Sequence, residues 1–100
     1  MPIVTVDRDL EPIVPRYFEL QRQGLSELRR AVAGNNAEAA RLMGHKMKGT
    51  GTSYGFPQLT EMGAAIERAA LAGDLDEAAR LGEAVAEFLD NVRVVYREVP

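Results

Sequence analysis

With 100 residues, 46% of them hydrophobic, the chain is the size of one domain and has enough apolar content for a modest core of its own. It has no cysteine and one histidine, which excludes a disulfide framework and a thiolate metal site and leaves structural zinc without its usual ligands. A formal net charge of -3 argues against nucleic acid, which needs a basic face.

The N-terminal residues 1–15 include Asp7, Arg8, Asp9 and Glu11 where a secretory signal would be apolar, and no stretch approaches the roughly 18 consecutive apolar residues of a membrane span. The expectation is a cytoplasmic domain with no membrane contact. Pro2 to Val6 alternates briefly but is too short to weigh as a strand, and everything after it reads at helical period. From about Asp9 to Ala33 an apolar stripe runs through Leu10, Ile13, Val14, Tyr17, Gly24, Leu25, Leu28 and Val32. Proline is comfortable only in a first turn, so Pro12 and Pro15 predict a short N-terminal helical turn, a break near Val14 and a long helix from Pro15. Gly34-Asn35 ends that helix, and Asn36 caps a second one that runs to about Tyr54 and closes at Gly55. Pro57 opens a third helix with Leu59, Met62, Gly63, Ile66 and Ala70 facing inward. After Gly73, Asp74 caps a fourth that carries Ala78, Leu81, Gly82, Val85, Phe88, Leu89, Val92 and Tyr96. Short connections make consecutive helices antiparallel neighbours, so residues 1–100 read as one all-α domain, an antiparallel up-down four-helix bundle with a short N-terminal helical turn.

The chemistry concentrates in the second helix. At about 100° per residue, Ala40, Met43, Gly44, Met47, Gly51 and Tyr54 share its inner side. His45 falls about 140° from the centre of that stripe, beside Glu38, Arg41, Gly49 and Thr52. It is therefore expected in water on a regular helix, where a lone histidine is ordinarily inert. Gly49 lies one turn later, and helical side chains lean toward the N-terminus, so any side chain at that position would cover the imidazole. Gly44 and Gly51 lie on the inner side, where close packing offsets the roughly 1 kcal/mol each glycine loses against alanine; Gly49 has no such compensation unless the helix simply ends there. Lys48, three residues after His45, is placed to reach phosphate oxygens, while Lys46 and Arg41 add positive charge and, taken singly, read as solvated. Imidazoles in general offer a neutral nucleophilic nitrogen near pH 7. Glu67, flanking the inner stripe of the third helix, is a candidate to hold Nδ1 and present Nε2; a carboxylate at such an edge is otherwise solvated.

His45-Lys-Met-Lys48-Gly49 followed by Tyr54-Gly55 resembles the His-x-x-Lys-Gly signature of histidine-containing phosphotransfer (Hpt) domains. The similarity extends over nearly the whole chain, with Tyr17-Phe18, the motif helix, Leu59 to Glu67, the Gly73-Asp74 turn and the last helix in the expected order. It implies a four-helix bundle whose exposed His45 accepts a phosphoryl group from the phospho-aspartate of a receiver domain, or from a histidine kinase system, and passes it to another receiver. It implies that Lys48 helps to hold that group and that Glu67 hydrogen-bonds His45 as a carboxylate does in some relatives. The implied partners are response-regulator receivers and a hybrid or other histidine kinase. Leu42, Arg41, Lys46 and Glu38 supply the surrounding contact surface, and a monomer is the simplest expectation. The carrier has no cofactor of its own, Mg2+ being expected on the receiver. Gly49-Thr-Gly51 is not a phosphate-cradling nucleotide loop, because no strand precedes it and it sits inside a helical pattern.

Three other readings compete. A non-catalytic helical adaptor leaves Gly49 without a reason. The dimerisation domain of a sensor kinase calls for a longer hairpin, a downstream ATP-binding domain and an acidic residue after the histidine, where this chain has Lys46. Metal or haem binding at His45 lacks a second ligand at helical spacing.

Overall fold

Most helix boundaries have a local chemical cause. The computed structural model describes residues 1–98, in which α1 (Val14–Ala33), α2 (Ala37–Thr50), α3 (Pro57–Leu71) and α4 (Leu75–Asn91) form the bulk of the molecule. Before α1, a 3-10 turn at Arg8–Leu10 is started by the Asp7 carboxylate accepting the Asp9 N–H at 2.9 Å, which is the expected N-terminal turn. Pro15 sits in the first turn of α1, where its missing N–H is harmless. The Asn36 and Asp74 side chains accept the N–H groups of Ala39 and Glu77, each at 3.0 Å, and so cap α2 and α4. After α1 the left-handed residue is Asn35, at φ 54, and not Gly34; asparagine is among the few residues that tolerate that region.

Four expectations are corrected. Ile13 does not join the apolar stripe and is 44% exposed, because it precedes the first turn of α1 and the incoming loop sets its direction. The second helix stops at Thr50 and not at Tyr54. Thr52 donates its N–H to Thr60 Oγ1 at 2.8 Å and Phe56 bonds back to the Gly51 carbonyl, so the chain tightens into a 3-10 turn at Thr52–Tyr54 before Gly55 at φ 91. The fourth helix stops at Asn91, since Val92 is already extended at ψ 134, and Tyr96 lies beyond it. Lastly, Pro2 to Val6 does mark a strand. β1 (Ile3–Asp7) pairs in parallel with β2 (Arg93–Arg97), in register from Ile3 with Arg93 to Asp7 with Arg97.

Cross-helix contacts fix the topology. Tyr17 meets Thr50 and Gly24 meets Met43, while Arg22 pairs with Asp90 and Arg29 with Glu83, so α1 runs antiparallel to both α2 and α4. Gly44 opposes Gly63 and Glu67, and Gly51 opposes Thr60, so α2 and α3 are also antiparallel. The four helices close into an up-down bundle around one hydrophobic cluster that includes Leu28, Met47, Leu59, Ile66 and Val85. The terminal ribbon seals one end. Val4 and Val6 are buried, and Val6 rests on Gly55, where a Cβ would approach its Cγ1 to 3.0 Å. Tyr17 stacks on Tyr54 at a ring separation of 4.2 Å beside Phe18 and Phe56, which braces the α2–α3 turn from the other side.

Candidate functional site

Helices α2 and α3 form the closest helix pair, and glycines permit it. A Cβ on Gly44 would lie 2.6 Å from the Glu67 amide nitrogen and 2.8 Å from the Gly63 carbonyl oxygen, while one on Gly63 would strike the backbone nitrogen of Lys48. Backbone therefore meets backbone at this crossing, and the Glu67 side chain is delivered directly onto α2. Just below, Thr60 ties the two helices together: its hydroxyl donates to the Lys48 carbonyl at 3.1 Å and meets the Thr52 hydroxyl at 3.0 Å.

The Glu67 carboxylate, only 13% exposed, lies between two turns of α2. Its Oε1 accepts from Lys48 Nζ at 2.6 Å, and its Oε2 contacts His45 Nδ1 at 2.8 Å. The Lys48 bond first, and the His45 bond second, hold the Glu67 pKa below its ordinary value of 4.5. An ionised carboxylate can only accept, so Nδ1 carries the proton in this contact. On a neutral ring, Nε2 is then the nitrogen with the free lone pair. The His45 side chain is 58% exposed, and Nε2 has no hydrogen-bond partner among the described residues.

Nothing stands within 4 Å of a Cβ built on Gly49, so the space over the imidazole is open from that side. Leu42, on the same face, is 42% exposed. Arg41, one turn before His45, is only 26% exposed and grips Glu38 with two bonds, Nε to Oε2 at 2.9 Å and Nη2 to Oε1 at 2.6 Å. Its remaining Nη1 lies 4.0 Å from Glu67 Oε2.

Lys46 departs from this group. It lines a groove between α1 and α2 with Leu20, Glu27 and Met43, on the flank away from Glu67. The structure thus gathers His45, Lys48, Glu67, Arg41 and Glu38 into one charged cluster, with Gly49 and Leu42 on its open side and Lys46 apart. Lys48, expected to reach phosphate oxygens, is engaged by Glu67. Sequence reasoning did not single out Thr60, whose hydroxyl fixes the end of α2; its one signal was its place three residues before Gly63.

A family model, the Hpt domain, matches residues 13–94. The chain belongs to the Hpt domain family. The match covers all four helices of this Hpt domain and the cluster around His45, and leaves β1 and the first 3-10 turn outside it. No curated protein and no solved structure gives a match. Membership supports a histidine phosphotransfer role in phosphorelays, that of a phosphoryl carrier, with receivers and kinases as the class of partner. Among the described residues, no helix is long and apolar enough to cross a membrane.

Proposed function

We propose that His45 is the phosphoacceptor of this Hpt domain and that it exchanges a phosphoryl group with the aspartate of a receiver domain. The observation that carries the reading is the imidazole held at Nδ1 by Glu67 with its other nitrogen uncovered, above a glycine that the packing does not require. The Nε2 lone pair attacks phosphorus in line; the N–P bond forms as the P–O bond to the aspartate breaks, and the aspartate leaves as a carboxylate. The Nδ1 proton stays where it is. The ring gains positive charge during attack, and the ionised Glu67 beside Nδ1 stabilises it. Lys48 then meets two demands, the Glu67 carboxylate at rest and the phosphoryl oxygens when the group arrives. Mg2+ belongs to the receiver's acidic pocket in this scheme. Exposed Leu42 is an apolar contact for the receiver, with Glu38 and Arg41 as charged neighbours on the His45 side and Lys46 on the flank toward α1.

The test is direct. The purified domain is mixed with receivers pre-phosphorylated by a small-molecule donor, and acid-labile, base-stable phosphate is sought on wild type and on His45→Gln. Label on wild type that is lost in the variant is the expected result. A folded wild-type domain that no receiver labels returns the chain to the adaptor reading, a binding bundle in which His45 is incidental.

A further inference from the structure

Two cations bracket His45 on α2, Arg41 four residues before it and Lys48 three residues after it, and at rest each is held by a carboxylate. The two holds differ. Lys48 is bound by Glu67, which is largely enclosed, whereas Arg41 is bound by Glu38, which is 66% exposed. Glu38 is the solvent-facing half of its pair, so a competing anion can reach the Arg41 guanidinium there, whereas Glu67 shields its hold on Lys48. The guanidinium also borders the carboxylate that holds the reacting ring: its Nη1 is 4.0 Å from the same Glu67 oxygen that takes His45 Nδ1. Side chains at i and i+4 are neighbours, and the leaning of helical side chains carries the His45 imidazole back over the turn of Arg41.

Formal charge sharpens the argument. Arg41 and Lys48 carry two positive charges, and Glu38 and Glu67 carry two negative ones, so the cluster is neutral before transfer. A phosphoryl group adds close to two negative charges and three acceptor oxygens. Lys48 alone offers a point charge, whereas the planar fork of an arginine matches two phosphoryl oxygens at once.

We infer that Arg41 is a second phosphoryl-holding residue, released from Glu38 when His45 is phosphorylated and turned onto the oxygens of the new group, so that the Glu38–Arg41 pair sets how easily the domain takes its load. This rests on His45 being the phosphoacceptor.

Loading with phosphoramidate, a small donor that phosphorylates histidine without a receiver, tests the inference. Loading rate and phosphohistidine lifetime are compared for wild type, Arg41→Ala, Arg41→Lys, Glu38→Gln and His45→Gln, with circular dichroism confirming the fold. Arg41→Ala should load roughly tenfold more slowly, the scale of one charge-assisted hydrogen bond. Arg41→Lys should recover only part of that, and Glu38→Gln should load faster than wild type. The Arg41 Nε–H resonance should move on phosphorylation in wild type, which a purely structural arginine would not show. Arg41→Ala loading at the wild-type rate, with a stationary Nε–H signal, would overturn the role of Arg41 while leaving His45 as acceptor. No phosphate on the folded wild type, with a donor this small, would overturn both.

Discussion

Gly44 and Gly49 lie five residues apart on one helix, and the same substitution at each should move stability in opposite directions. At Gly44 the new methyl would be 2.6 Å and 2.8 Å from backbone atoms of α3, which cannot swing aside as a side chain can. Ordinary carbon contacts begin near 3.5 Å, so α2 and α3 must separate by on the order of 1 Å. Overpacking of this kind costs up to about 3 kcal/mol, and alanine returns about 1 kcal/mol of helix propensity, leaving Gly44→Ala about 2 kcal/mol less stable. For a domain of this size that lowers Tm by roughly 8–16 °C. At Gly49 nothing is within reach of the methyl, so only the propensity gain of about 1 kcal/mol applies, and Gly49→Ala should melt roughly 4–8 °C higher. Thermal and urea unfolding followed by circular dichroism measure both. The forced separation at Gly44 should also stretch the 2.8 Å contact between His45 Nδ1 and Glu67, which nitrogen-15 NMR of the imidazole reads independently. A Gly44→Ala protein as stable as wild type, or a Gly49→Ala protein less stable, would refute the account of the α2–α3 crossing.

The lowered pKa of Glu67 gives a pH dependence of fixed sign. Because the folded value lies below the unfolded one, the stabilisation is fully present above about pH 4.5 and disappears as pH falls through the folded value. The stability difference between wild type and Glu67→Gln should therefore shrink in acid, and a gap that widens below pH 4.5 would contradict the ion pair with Lys48. Val6→Ala removes two methyl groups that are 2% exposed and should cost about 1.5–3 kcal/mol in urea unfolding, whereas a neutral result would mean that the terminal ribbon is not part of the cooperative unit. Leu42→Asp, at a side chain 42% exposed, should leave Tm within a few degrees and slow acceptance from a phosphorylated receiver by roughly tenfold; wild-type transfer kinetics would remove Leu42 from the contact surface.

The helices were legible because their signals are local. Apolar spacing, Asn36 and Asp74 as caps, Pro15 and Pro57 in first turns and Gly55 and Gly73 at positive φ all act within a turn or two of the chain. The cluster was legible in part for the same reason, since His45, Lys48, Gly49 and Arg41 share one helix face. What escaped the reading depends on partners far away in sequence. β1 shows its alternation, but the partner that makes it a strand lies some 90 positions later, and five residues are too few to declare themselves alone. Val92 and Tyr96 continue the i, i+4 spacing of α4, yet Arg93-Val-Val-Tyr-Arg97 is also a β-branched and aromatic run, and pairing with β1 decides for the strand, in which Val94 and Tyr96 turn inward and Val95 outward. The stop at Thr50 is equally tertiary, set by Thr60 and Phe56 closing on Gly51.

The three glycines of the motif segment separate fold from chemistry. Gly44 and Gly51 are explained by the backbone of α3 and the turn before it, because a Cβ at either would collide with main-chain atoms. Gly49 has no such explanation. It weakens α2 by about 1 kcal/mol and gains no packing in return. Its effect is on what approaches His45: a side chain there would lean across the imidazole, and a protein donor needs that space far more than a small molecule does. Gly49→Ala should therefore be the more stable protein and yet accept phosphoryl groups from a receiver more slowly, with loading by phosphoramidate nearly unchanged, and Gly49→Gln should widen that contrast. If both variants accept from the receiver as fast as wild type, the donor approaches from another side and the vacancy over Gly49 has no part in docking.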